Sequence, residues 1–309
     1  MPRSHHPLVS AGDLAAELSA DGPATPRPVL VDVRWSLGTA PEDNRAAYLA
    51  GHLPGASFLD LDGGLSDPVA PDRRGGRHPM PSLERVQAAL RAAGVCRDRP
   101  VVFYDARISA GAARAWWVAS YYGVAGARVL DGGLSAWQDA GLPVETGSVD
   151  VPEGDVVLTA GRRPLLDADG LAAWLEGGGQ VLDARPANRF RGEDETIDPV
   201  AGHVPGARSF PSLALLAEDG TFLPADAIEA LLTDAGADPA TPTALYCGSG
   251  VTAAHAALAL EAAGLLEQTP ALYVGSWSDW VSDPTRPVAT GPAQRPRRPA
   301  SPSGYAGRT

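Results

Sequence analysis

The chain contains no lysine; all 25 of its basic residues other than histidine are arginines. Schiff-base chemistry on a lysine amine is therefore excluded. Cysteine is nearly as scarce, with two in 309 residues. Two thiols make no disulfide framework, and a reducing compartment keeps such thiols free. Positive charge is short overall, with a formal net charge of −12. That argues against a nucleic-acid partner, which needs a cationic footprint. No apolar run approaches the roughly 18–20 residues that span a bilayer. The start, MPRSHHPLVSAGDL, lacks the apolar core of a secretory signal. No membrane partner is expected, and the expected location is cytoplasmic. His5 and His6 have no acidic or thiol neighbours to complete a metal site, and no metal or cofactor is implied.

What is present is a pattern that occurs twice. PVLVDVR (28–34) has a counterpart in QVLDARP (180–186), each an apolar run that leads into Asp-x-Arg. His52 in AGHLPGA and His203 in AGHVPGA follow Asp32 and Asp183 at the same interval. PVVFYDARISAGAARAWW (100–117) matches PTALYCGSGVTAAHAALA (242–259), which sets Asp105 opposite Cys247. VLDGGLSAW ends at Trp137 and LYVGSWSDW at Trp280. Four landmarks in one order mark an internal duplication.

Each half alternates short apolar strands with amphipathic helices. In the second half the pattern predicts strands near 180–184, 207–210, 242–246 and 271–274. It predicts helices near 167–176, 225–235, 251–264 and 276–281. That alternation implies α/β domains, each a mostly parallel sheet with helices on both faces. The domains are expected at 1–147 and 155–290, joined by a linker within 143–165 where Pro, Gly and charge break the pattern. Residues 291–309 are rich in Pro, Arg and Ser and read as a disordered tail.

TALYCGSGVTAAH (243–255) then stands out. A strand delivers Cys247 to a glycine-rich turn just ahead of a helix. In a parallel α/β domain ligands gather at the carboxyl ends of strands. Gly248 and Gly250 let backbone N–H groups turn inward, and the helix start adds its positive end. Both features favour an anion at the Cys247 sulfur. A buried cysteine under a tight turn is the competing reading. Cys96, in AAGVCRDRP, has no such cradle and reads as structural. A phosphatase loop of the form Cys-x5-Arg would need an arginine at the sixth residue after Cys247, which is Ala253.

CGSGVTA on a strand-to-helix turn, with DAR and GHVPGA before it and GSWSDW after it, resembles the tandem rhodanese family of sulfurtransferases. The resemblance covers roughly residues 8–290. The loop is most similar to that of 3-mercaptopyruvate sulfurtransferases; thiosulfate enzymes of the tandem type often carry an Arg-Lys pair where this chain has Gly248-Ser249. The resemblance implies two rhodanese-like domains and transfer of a sulfane sulfur through a Cys247 persulfide. Acceptors would be a thiol, cyanide, or a protein such as thioredoxin.

The loop itself, through Val251 and Thr252, is neutral, which favours a donor with one carboxylate, 3-mercaptopyruvate, over thiosulfate. Arg185 matches the family's substrate-binding arginine, with Arg189 or Arg191 as the second. In mercaptopyruvate enzymes a His and an Asp from the first domain join the loop serine. Here that implies a relay of Ser249, His78 and Asp62. His52 and His203, present in both halves, read as turn-pinning residues. The tryptophans read as packing, with Trp277 and Trp280 also candidates for the pocket wall. Asp105 in place of cysteine makes the first domain non-catalytic. Thiosulfate:cyanide transfer is the close alternative, and a non-catalytic binding module the more distant one.

Overall fold

Two five-stranded parallel sheets, built in the same strand order, organise the structure, a computed structural model that describes residues 6–20 and 26–292. The first half runs β1 (Leu8–Val9), α1 (Ala11–Ser19), β2 (Val29–Asp32), α2 (Pro41–Ala50), β3 (Ser57–Phe58), α3 (Leu61–Gly64), α4 (Leu83–Ala92), β4 (Val101–Tyr104), α5 (Ala110–Tyr121), β5 (Ala127–Leu130) and α6 (Gly133–Asp139). The second half repeats it: β6 (Leu165–Leu166), α7 (Ala168–Glu176), β7 (Gln180–Asp183), α8 (Ala187–Arg191), β8 (Arg208–Ser209), a 3-10 turn (Ser212–Leu215), α9 (Ala225–Asp234), β9 (Thr243–Tyr246), α10 (Val251–Ala262), β10 (Ala271–Tyr273) and α11 (Ser276–Trp280).

The sheet orders are β1-β5-β4-β2-β3 and β6-β10-β9-β7-β8. Register is equivalent as well: Asp32 lies beside Tyr104, and Asp183 beside Tyr246. The central strands VLVD, VVFY, QVLD and TALY are buried along their whole length. Sheets covered by helices on both faces require such continuous apolar runs. Every second-half element expected from the sequence is present, its ends within two residues. The short helix α8 was not expected. The expected tail lies outside the described residues apart from Gly291 and Pro292.

Helices α5 and α10 bring the halves together. Both are buried on nearly all sides and rich in alanine. A helix apolar all round belongs in a core, and alanine lets two such helices approach closely. One apolar cluster therefore runs from Val31 and Phe103 of the first sheet to Leu245 and Leu272 of the second. The connection after α6 carries no helix or strand as far as β6. It lies on the first half, where Val156 and Leu158 are buried in that cluster. Among the described residues, no helix is long and apolar enough to cross a membrane.

His52 and His203 pin matching turns. His52 pairs its backbone with Glu145, and His203 with Ala289. The His203 Nδ1 lies 2.7 Å from the Phe190 carbonyl, and its ring stacks on Phe190.

Candidate active site

Cys247 follows the last residue of β9 and lies at the carboxyl end of the second sheet, flanked by the ends of β7 and β10. Its side chain is 1% exposed. The orientation of the loop around it is set by its carbonyls. The Trp277 and Ser278 N–H groups, at the start of α11, donate to the Cys247 and Gly248 carbonyls at 2.9 and 3.1 Å. With the carbonyls held outward, the loop N–H groups face the sulfur. Ser249 N and Gly250 N donate to Cys247 Sγ at 3.4 and 3.0 Å.

Gly250 makes this turn with φ of +78°, and a Cβ there would stand 2.5 Å from the Val274 carbonyl. Only glycine fits both conditions. Ser276, buried after β10, accepts from Cys247 N at 3.1 Å and donates to the Tyr273 carbonyl at 2.9 Å. Sequence reasoning did not single out Ser276.

Ser249 projects the other way. Its Oγ lies 2.8 Å from His78 Nδ1, and His78 Nε2 lies 3.1 Å from Asp62 Oδ1. His78 and Ser249 are buried, while the Asp62 side chain is 43% exposed. The three residues expected to meet across the halves thus form one chain of contacts ending beside Cys247. The rings of Trp35 and His78 meet nearly at right angles, with centroids 5.3 Å apart.

A cavity of about 330 Å³ opens over the sulfur, lined by Cys247, Gly248, Ser249, Val251, Thr252, Arg77, Arg185 and Arg189 among others. Gly250 acts from behind through its N–H. A second cavity of about 520 Å³ adjoins it through Trp35, Leu37 and Arg77 and reaches Asp62 and His78.

Three guanidinium groups edge the sulfur cavity. Arg185 is 1% exposed and clamps Asp183 through Nε and Nη2, with Nη2 also on the Gly202 carbonyl at 2.7 Å. Arg34 makes the same clamp on Asp32 and the Gly51 carbonyl in the first half. The clamp is therefore part of the fold, and what remains for a ligand is Arg185 Nη1, buried without a hydrogen-bond partner though 3.8 Å from Glu195 Oε2. Asp183 lifts the Arg185 guanidinium above its ordinary range against the cost of burial. Arg189 on α8 binds Glu195 and Asp198 and directs Nη1 towards Gly248.

Arg77, from the first half, pairs with Asp198 and sets Nη2 2.7 Å from where a Gly248 Cβ would be. Sequence reasoning missed it because the neutral loop was weighed alone. The cations approach from outside the loop, and each carries a carboxylate partner.

Arg191 is a correction. It is half-exposed, pairs with Glu193 and does not line the cavity. At about 100° per residue, positions two apart on a helix point to nearly opposite sides. Arg189 faces the cavity, so Arg191 faces away. Trp277 and Trp280 do not wall the cavity either: Trp277 packs beneath the Arg185 guanidinium at 4.6 Å, and its Nε1 donates to the Val200 carbonyl. Cys96 is partly buried with Sγ near the Gly94 carbonyl, away from any such cradle.

The two-part fold has counterparts among known proteins. A family model described as Rhodanese-like domain matches residues 10–140 and 167–283. "Putative thiosulfate sulfurtransferase SseB" of Mycobacterium tuberculosis is 48% identical over 291 residues, covering 93% of this chain and 98% of that protein. "Probable 3-mercaptopyruvate sulfurtransferase" of Pseudomonas aeruginosa is 44% identical over 292 residues, covering 92% and 98%. Among solved structures, SseA from Escherichia coli, described among 3-mercaptopyruvate sulfotransferases, superposes with a TM-score of 0.76 at 34% identity, covering 89% of this chain and 100% of that one.

Proposed function

The chain belongs to the rhodanese family and is a sulfurtransferase, and from that premise we propose that Cys247 carries a sulfane sulfur from 3-mercaptopyruvate to a thiol or to cyanide. The observation that carries the choice of donor is the contact chain from Ser249 through His78 to Asp62. Desulfurising 3-mercaptopyruvate needs a proton moved; desulfurising thiosulfate does not.

In the first step the Cys247 thiolate attacks the thiol sulfur of the donor. The new S–S bond forms as the C–S bond breaks, and its electron pair passes to carbon as the enolate of pyruvate. The proton of the donor thiol ends on that carbon. Ser249, with His78 and Asp62 behind it, moves this proton as a general acid–base relay. The Ser249 and Gly250 N–H groups donate to the thiolate and then to the persulfide anion. In the second step the acceptor thiolate or cyanide attacks the outer sulfur, the S–S bond breaks, and the Cys247 thiolate returns. The rate law is ping-pong.

Arg185 Nη1, Arg189 and Arg77 receive the donor's carboxylate and carbonyl in this reading, with Gly248, Val251 and Thr252 forming the floor. Residues 1–147 serve as the non-catalytic domain and 155–290 as the catalytic one, the stretch before β6 packing back on the first half. A protein thiol such as that of thioredoxin is a suitable acceptor, and the two free cysteines suit a reducing, cytoplasmic setting.

The test is intact-protein mass after brief exposure to 3-mercaptopyruvate. A gain of one sulfur is expected, absent in Cys247→Ser and retained in Cys96→Ser. No gain from any donor would overturn the reading and leave a binding module. Thiosulfate is a second reading, favoured by Arg77 over Gly248, since a dianion welcomes another cation. Its outer sulfur would pass to Cys247 as the S–S bond breaks and sulfite leaves with the electron pair. A higher kcat/KM for thiosulfate than for 3-mercaptopyruvate would select it.

A further inference from the structure

Arg114 sits on α5, in the half that lacks the cysteine, with 0% exposure. Its Nη2 donates to the Leu65, His78 and Pro79 carbonyls at 3.1, 3.1 and 3.2 Å, and its Nη1 reaches the Gly250 carbonyl at 3.5 Å. Its Nε has no partner. Among the described residues it forms no ion pair with a carboxylate; the Gly250 whose carbonyl it faces donates its N–H to Cys247 Sγ at 3.0 Å, and the nearby Tyr122 is the other group that could turn anionic. A buried cation without a counter-charge is strongly unfavourable.

Tyr122 cannot supply that charge, because burial pushes its phenol up to about 12. Burial lowers Arg114 to about 10, with Cys247 opposing, so the guanidinium stays protonated at neutral pH. The other charged groups facing the sulfur are already paired. Arg185 has Asp183, Arg77 has Asp198, Arg189 has Glu195 and Asp198, and His78 has Asp62. Cys247, one hydrogen bond away from the Gly250 turn that Arg114 touches, is the group left beside it that can carry the balancing charge.

We propose that Arg114 is a positioning residue for sulfur transfer, supplying from the cysteine-free domain the counter-charge of the Cys247 thiolate and persulfide. The same side chain ties the Gly250 turn to the backbone that carries His78. The duplication supports this assignment. His255 is the fifth residue of α10, as Arg114 is the fifth of α5, so each helix buries one polar side chain at the same position. The loop near His255 holds Asp105, whose carboxylate accepts from Arg107, Ser109 and Gly111 N–H groups. That anion is satisfied in place. Cys247 has two N–H donors and gains a cation instead.

The inference rests on Cys247 as sulfur carrier, and alkylation separates the two claims because it needs no donor. In a Cys96→Ser background Cys247 is the one thiol. Its rate of alkylation by iodoacetamide is measured from pH 5.5 to 10 in the parent, Arg114→Gln and Arg114→Lys. The Gln variant is expected to reach half-maximal rate about one pH unit higher, and so to react about tenfold more slowly well below that midpoint. The Lys variant is expected to restore most of the rate. Superposed profiles for parent and Gln variant, with both folded, would overturn the proposal. Should the Gln variant not fold, the parent is compared with Cys247→Ser by thermal unfolding. The proposal expects the Ser variant's deficit to grow from pH 6 to pH 9; an unchanged deficit would overturn it.

Discussion

Replacing Ser249 with alanine separates the proton relay from the sulfur cradle. The Ser249 N–H on Cys247 Sγ belongs to the backbone and survives the change. The Gly250 N–H and the α11 N–H groups that orient the loop survive as well. What is lost is the Oγ that lies 2.8 Å from His78 Nδ1. Loss of one such hydrogen bond costs about 1 kcal/mol in stability, so the variant should fold. General acid–base catalysis contributes roughly 10²–10⁴ in rate, which is about 3–5 kcal/mol of barrier. With 3-mercaptopyruvate and cyanide, followed by pyruvate release, kcat is expected to fall by that factor. With thiosulfate and cyanide, followed by thiocyanate, the rate is expected to stay within about threefold, because no proton moves in that transfer. His78→Ala should reproduce the split. An equal fall for both donors would refute the relay and leave Ser249 as a loop residue.

Arg77→Met should raise KM for thiosulfate about tenfold or more, the scale of a lost charge-assisted hydrogen bond, and raise it less for 3-mercaptopyruvate. Asp198 keeps Arg189 at 3.0 Å as a partner, so thermal stability should hold while steady-state kinetics shift. Gly250→Ala should lower Tm by several degrees and abolish transfer. It adds about 1–2 kcal/mol of left-handed strain to a Cβ 2.5 Å from the Val274 carbonyl. Burial lowers His255 to about 4, below its ordinary value of about 6.5. The unfolded chain then binds the extra proton between those values, so stability contributed by the neutral ring is lost as pH falls through that window. His255→Leu should therefore show a smaller drop in Tm from pH 7 to pH 4.5 than the parent, measured by differential scanning calorimetry.

Local chemistry explains which parts of the site could be read in the sequence. The Cys247 cradle is a strand, a turn and a helix in continuous chain, and its glycines and apolar run mark each part. The fold was legible for the same reason, since the longer strands and helices of the second half each leave their own period, while the short β6 and α8 do not. Ser249, His78 and Asp62 could be connected only through resemblance, because the contact spans the two halves. Arg77 and Arg114 left no signal at all. Arg77 lies in a polar run that reads as solvent-facing, and its partner Asp198 is remote in sequence. Arg114 interrupts an alanine-rich apolar helix, where an arginine suggests a surface until both faces prove buried. Arg189 and Arg191 could not be told apart without α8, which at five residues is too short for any periodicity to show.

The duplication explains how one half can lack the cysteine without any loss of fold. Both halves build the same cradle: Leu134 and Ser135 N–H groups hold the Asp105 and Ala106 carbonyls as the start of α11 holds those of Cys247 and Gly248. Helix α5 then begins at a left-handed Ser109, as α10 begins at a left-handed Gly250. The path from Asp105 to Ser109 is one residue longer than that from Cys247 to Gly250, and the extra residue brings a third N–H group onto the carboxylate. Burial raises Asp105 to about 6 even so, which leaves it mostly ionised at neutral pH. The first cradle therefore already contains its anion, covalently attached and without a sulfur to exchange. The second presents a sulfur, which in the proposed cycle gains and loses an atom while remaining an anion. The first half also lends side chains to the second: His78 towards Ser249, Arg77 over Gly248 and Arg114 beneath Gly250. A single-domain version of the second half would keep the cysteine and its N–H donors but lose all three, so the pairing of domains is a requirement of the site.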